Sequence, residues 1–210
     1  MKLTEMIEYT ASQYLDDRTN LVDGDPDELW SDAFLIRQFN EAQRILARRS
    51  WCIIDEANAT AGLITLATGT AVYSLHESVL RVLLATPADQ SWPLYRTSDA
   101  VLRMPRPHLD MPFDINSTST PETGRPIAFS TDASTRKLRV FRTPTSTENG
   151  LVINLKVARL PITWLTIDAG TAEPEVPEDY HYALCMYAAG RALTQPNVDG
   201  SMKADGRALI

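Results

Sequence analysis

Apolar residues recur at helical spacing from the start of the chain. Leu3, Ile7, Ala11, Tyr14 and Leu15 share one face behind Thr4, which can cap a first helix, and Asp16-Asp17-Arg18 ends it. Asp-Gly and Asp-Pro steps between Asn20 and Glu28 favour turns, so that stretch reads as a loop. Ser31 then caps a second helix with Asp32 in its first turn, and Leu35, Phe39, Ala42, Leu46 and Arg49 follow at spacings of four and three. Arg44, Arg48 and Arg49 suit the negative end of the helix dipole, and Trp51 to Ile54 prolongs the apolar run.

From Ala61 the period falls to two. Ile64 and Leu66 flank Thr65, Gly69 marks a turn, and Tyr73 and Leu75 flank Ser74. Val79 to Ala85 is apolar enough for a buried strand, and Trp92-Pro93-Leu94-Tyr95 reads as a short edge segment, because proline cannot donate to a ladder. Ser98-Asp99 can cap one helical turn through Leu102. Four prolines and the hydroxyl-rich run Asn116 to Thr120 make residues 104–125 a long loop. Leu138 and Val140 alternate with Lys137 and Arg139, and Asn149-Gly150 supplies turn chemistry before Leu151, Ile153, Leu155 and Val157, so a hairpin is predicted here. Strands with one apolar and one polar face suit antiparallel pairing and disfavour a nucleotide-binding parallel sheet.

Pro177, Glu178 and Asp179 start a last helix, with Tyr180, Leu184, Tyr187 and Ala188 on one face, and Pro196 stops it. The fold class expected is α+β: a small helical bundle of two N-terminal helices plus a C-terminal helix, with an inserted antiparallel β domain and an extended C-terminal tail. The expected boundaries are 1–60 and 169–196 for the helical domain, 61–168 for the β domain with its loop 104–125, and 197–210 for the tail.

At 210 residues and 44% hydrophobic the chain can bury a sizeable core, so it needs no disulfide framework, and Cys52 and Cys185 read as small core residues. A net charge of −7 argues against a general nucleic-acid binder. The polar N-terminus lacks the core of a secretory signal and no apolar run can span a bilayer, so synthesis in a cytoplasm and no membrane partner are expected. The sequons at Asn58 and Asn116 then read as accidental.

Catalytic chemistry finds no purchase. His76-Glu77 begins like a zinc-protease helix, but Leu80 stands where the second histidine belongs. His108 lies in the proline-rich loop without ligand-spaced neighbours, and His181 reads as packing against, or hydrogen-bonding to, the neighbouring domain. There is no nucleophile elbow and no phosphate-cradling loop. The acidic run Asp23, Asp25, Asp27 and Glu28 is interrupted by Pro26 and lacks the closing glutamate of a calcium loop. Arg136, Lys137, Arg139 and Arg142 form a basic cluster that reads as a solvated strand face or a subunit contact rather than a DNA contact. No catalytic, cofactor or metal site is assigned, and no enzyme is expected.

An ordered series of segments resembles the head-to-tail adaptor (connector) proteins of short-tailed bacteriophages and spans nearly the whole chain. It comprises Tyr14-Leu15-Asp16-Asp17, Trp30-Ser31-Asp32, Phe39-Asn40-Glu41-Ala42, Tyr73-Ser74-Leu75-His76, Pro93-Leu94-Tyr95-Arg96 and Gly124-Arg125-Pro126. It continues with Phe129-Ser130-Thr131-Asp132, Arg159-Leu160-Pro161, Val176-Pro177-Glu178-Asp179-Tyr180-His181, Leu184 and Tyr187-Ala188-Ala189-Gly190-Arg191-Ala192-Leu193. The chain departs from the pattern in the loop Met104 to Thr123 and in a short C-terminus.

The resemblance implies a structural virion protein of the neck: a dodecameric homo-oligomeric ring joining the portal protein to the tail nozzle or tail tube protein. It also implies that genomic DNA passes through the ring without sequence-specific binding. On that reading Val198, Met202, Leu209 and Ile210 of the tail contact the portal, and Leu35, Phe39, Leu46, Tyr180, Leu184 and Tyr187 serve subunit or helix packing. The alternative from a different class is a ligand- or carbohydrate-binding β module of a phage particle, with Trp92, Tyr95 and the hydroxyl-rich loop as its platform.

Overall fold

The computed structural model describes residues 1–15, 30–56, 58–99, 123–132, 134–195 and 207–209. The chain divides into two compact units, residues 1–53 with 160–210, and residues 54–159.

The first unit is helical. Helix α1 (Leu3–Thr10) runs on into a π-helical turn, Ala11–Leu15. The cap is not Thr4: the helix starts one residue earlier, and the Glu5 carboxylate reaches back to accept the Lys2 N–H at 2.9 Å. Two further N–H groups of its first turn donate outward, Leu3 to the Ala172 carbonyl (2.9 Å) and Thr4 to that of Gly170 (3.2 Å). A Cβ on Gly170 would stand 2.9 Å from the Thr4 methyl, so glycine permits this approach.

Helix α2 (Asp32–Ser50) has the expected Ser31 cap, whose hydroxyl accepts the Phe34 N–H, and ends at Trp51 in a left-handed conformation, φ 53°. A 3-10 turn (Glu178–Tyr180) leads into α3 (His181–Leu193). Leu3, Met6, Leu35, Phe39, Leu184, Cys185 and Ala188 form the heart of one buried cluster. The expected face of α3 is rotated from the observed one. His181, Leu184, Cys185, Ala188 and Ala192 point inward, whereas Tyr180 is 37% exposed, because it belongs to the 3-10 turn and not to the α-helical register.

The described residues of the second unit form eight strands in two four-stranded sheets: β1 (Ile54–Glu56), β2 (Leu63–Thr65), β3 (Val72–Ser74), β4 (Val79–Pro87), β5 (Tyr95–Arg96), β6 (Ala128–Ser130), β7 (Lys137–Phe141) and β8 (Val152–Arg159). In the first sheet β8 is the hub, with β4 along one edge and β1 and β2 successively along the other. The second runs β3-β7-β6-β5, in which the short β5–β6 pair is parallel and β3–β7 and β6–β7 are antiparallel. Ile153, Leu155 and Val157 of β8, Leu138 and Val140 of β7, and Phe129 of β6 are all buried.

Two expectations fail here. Strands β7 and β8 do not form a hairpin; they belong to different sheets. The connector makes its own turns, with the Thr145 N–H and hydroxyl donating to the Glu148 carboxylate, and Gly150, at φ 83°, donating its N–H to the Leu66 carbonyl at the end of β2. The Asn149-Gly150 chemistry thus serves a crossing between sheets. Strand β4 is also not fully buried. Val79, Val82 and Ala85 face inward, but register shifts between Val79 and Arg81 and between Val82 and Leu84 rotate the strand and leave Leu80 and Leu84 exposed.

Strand β5 lies at a sheet edge, as the Trp92–Tyr95 pattern predicts. The helical turn expected from Ser98 to Leu102 falls largely outside the described residues, as do Asp16 to Glu28, most of the 104–125 loop and Pro196. Asp99 itself takes an ion pair from Arg139 at 2.7 Å.

Candidate functional site

Among the described residues, the catalytic candidates make local structural contacts. His76 accepts the Ser78 N–H on Nδ1 (3.2 Å) and sits 2.8 Å from the Ser78 hydroxyl, within a local turn. His181 is 3% exposed, with Nε2 3.1 Å from the Val176 carbonyl and Nδ1 2.9 Å from the Met1 amine. Its partners lie within its own helical unit and not in the neighbouring one, since the inward register of α3 aims the ring at the chain start. His108 lies outside the described residues, as does the acidic run Asp23 to Glu28. Burial pushes the Cys185 thiol up, away from the thiolate a nucleophile needs, and both cysteines are free. Among the described residues no His, Cys, Asp and Glu side chains gather as a metal site, and no helix is long and apolar enough to cross a membrane.

Polar side chains instead fix loops. Asn40, buried on α2, donates to the Leu165 carbonyl (2.9 Å) and accepts the Leu165 N–H (3.0 Å). The Glu175 carboxylate accepts the N–H groups of Ile162 and Thr163, while the Glu175 N–H donates to Gln43. In the β unit the Asp132 carboxylate accepts the Asp99 N–H, which holds its carboxyl below the ordinary range. Glu148 is likewise held low by the Thr145 hydroxyl and then by the Thr145 N–H. Asp55 Oδ2 accepts from both Nε (3.0 Å) and Nη2 (2.8 Å) of Arg159, and from Asn58 (2.9 Å), so the first and last strands of the β unit are clasped together. The basic cluster is not a uniform patch, because Arg139 is engaged by Asp99.

What the structure offers outward is contact surface. Trp92 is 68% exposed and Tyr95 is 65% exposed at the β5 edge. Ile54, Leu63 and Leu84 lie opposite Ala158, Asn154 and Lys156, on the face of the first sheet turned away from buried Ile153, Leu155 and Val157. On the helical unit Trp164, Ile167, Tyr182 and Met186 are exposed.

The residues singled out for packing separate into three groups. Leu35, Phe39 and Leu184 are buried in the helical core, Leu46 and Tyr187 pack partly buried against it, and Tyr180 faces solvent. Burial, and then the Glu41 carboxylate beside it, raise the Tyr187 hydroxyl. Of the tail residues Leu209 packs, half-buried, against the helical core, and Val198, Met202 and Ile210 lie outside the described residues. Periodicity did not single out Trp164, Ile167, Tyr182 or Met186, since exposure of an apolar side chain in a loop or at an outer helical position has no sequence period.

No curated protein sequence matches the chain. The family model for the SU10 adaptor protein matches residues 1–209, both units included, and the chain therefore belongs to that family of bacteriophage adaptor proteins.

Proposed function

We propose that this chain is the repeated subunit of a head-to-tail adaptor ring, dodecameric, seated in the virion neck between the portal and the tail nozzle or tail tube, and made in the host cytoplasm. The observation that carries this reading is the adaptor-family match across the full span of both units. The role is structural and not enzymatic. A ring generated by one heterologous contact needs two different complementary surfaces on each subunit, and a subunit of two units has room for them beside its contacts to portal and tail.

In this reading the segment carrying Val198, Met202, Leu209 and Ile210 reaches the portal, and the β unit meets the tail component, with Trp92 and Tyr95 among its contacts. The net charge of −7 suits a channel wall, since acidic groups repel phosphate and let DNA slide, whereas cationic contacts hold it. Mixing the chain with the purified portal ring of its phage and imaging the product tests the proposal. Rings docked on the portal are expected, and removal of the residues after Pro196 is expected to abolish docking while the chain, short of the Leu209 core contact, stays folded. A chain that never assembles on that portal sinks the reading. Neutralising the carboxylates found to line the channel is expected to slow ejection.

The exposure of Trp92 and Tyr95 also favours a second reading, a carbohydrate-binding β module. Glycan binding that disappears in Trp92→Ala would establish it in place of the ring.

A further inference from the structure

The helical unit carries two flanks of opposite charge, each set with exposed aromatic rings. On the outward side of α2, Arg37, Arg44 and Arg48 follow at spacings of seven and four, which places them in one row and outweighs Glu41 between them. Two of the three stack on rings: the Arg37 guanidinium lies 5.5 Å from the Phe34 ring centroid, and that of Arg44 lies 5.4 Å from the Trp164 ring. Trp164 is 54% exposed and Ile167 is 62% exposed. Their loop is fixed from beneath by the Asn40 clamp on Leu165 and by the Glu175 carboxylate on Ile162 and Thr163. A knob fixed in this way loses little freedom when it is covered.

The second flank is formed by α1 and the start of α3. Glu5 and Glu8 are exposed and outweigh the exposed Lys2 before them, while Glu178 beside them is ion-paired with the Met1 amine at 3.2 Å. Tyr9 meets Tyr182 edge to face at 5.3 Å and Tyr14 at 5.8 Å. The two flanks lie on different sides of the bundle. Tyr182 meets α1, whereas Tyr187 faces Glu41 of α2, and five residues on a helix turn through about 140° beyond a full circle.

Building on the ring reading above, we propose that the arginine flank of one copy docks on the acidic tyrosine flank of the next, with Trp164 and Ile167 entering beside Tyr9 and Tyr182. The occupant is a second copy of this chain because one chain carries both halves of the charge complement. Pairing a flank with itself would set like charges together, so only the head-to-tail arrangement is matched, and that is the arrangement that generates rings. Arginine and exposed aromatic rings are also the side chains that anchor interfaces.

The test uses two full-length variants, Arg37→Glu/Arg44→Glu/Arg48→Glu and Glu5→Lys/Glu8→Lys, with circular dichroism melts as the folding control. Sedimentation velocity at low salt should show self-association of the wild type that weakens as salt rises, and at least about ten-fold weaker association of each variant alone. An equimolar mixture of the two variants should associate again, because each reversed flank then meets its complement, an outcome that damage to folding cannot produce. Variants that associate like the wild type, a mixture that fails to recover, or a wild type that remains monomeric at all concentrations would each overturn this interface. Portal imaging keeps the two ideas apart: reversed variants that still form rings on the portal defeat the interface and leave the ring reading standing, while a wild type that forms none defeats the ring reading.

Discussion

The helical unit is closed by both ends of the chain, whereas the β unit is one uninterrupted run from Ile54 to Arg159. Contacts that define the helical unit therefore span long separations, such as the Asn40 clamp on Leu165 and the bond from Leu3 to Ala172. Neither of its pieces can bury its apolar stripe alone. The β unit contains every partner its strands require, and its first and last strands pair with each other, Ile54 opposite Ala158. Continuity in sequence, and not the kind of secondary structure, decides which part of this molecule can stand alone.

The largest effect expected comes from dividing the chain along that line. Residues 54–159 expressed alone should keep a β-type circular dichroism spectrum and a cooperative melt, while residues 1–53 alone should lose most of their helix; a helical 1–53 peptide would erase the distinction. Next in size are truncations of fully buried rings, Phe39→Ala in α2 and Phe129→Ala in β6, each expected to cost about 3–5 kcal/mol. Calorimetry should show Phe39→Ala lowering one transition and Phe129→Ala the other, and a joint shift of both would mean that the units melt as one. Asn40→Ala should cost the helical unit about 2–3 kcal/mol, because a buried N–H and carbonyl of Leu165 lose their partner.

An acid-side pH effect is expected in the β unit, where the Glu148 and Asp132 carboxyls are held low. The Glu148 carboxyl is held low in the folded chain, so its contribution is present at neutral pH and lost as pH falls below the ordinary glutamate value through the lowered one. Glu148→Gln should flatten the acid limb of the β transition alone, read from melts across the acid range. Smallest is Gly150→Ala, about 1 kcal/mol, since a side chain at φ 83° is strained although the space around it is open.

Helices were the most legible part of the sequence. The Ser31 cap and the stripe Leu35, Phe39, Ala42 are local patterns, and local chemistry sets where α2 begins and which side it buries. The faces of β7 and β8 were legible for the same reason. Their partners were not, because alternation specifies a face and says nothing of the neighbouring strand, and a turn dipeptide such as Asn149-Gly150 can reverse the chain without joining the strands on either side. Strand β1 escaped notice because three residues beside an apolar run carry no period of their own. Arg44 and Arg48 are visible as helix-end charges, but the stacking of Arg44 on Trp164 depends on a loop held to α2 across more than a hundred residues of chain.

The clasp between Asp55 and Arg159 places the two ends of the β unit on neighbouring strands, with Asp55 opposite Val157 and Ile54 opposite Ala158. A segment whose ends meet in this way behaves like a cassette: whatever lies between them can be exchanged, lengthened or reshaped while the host chain bridges only the width of one strand pair.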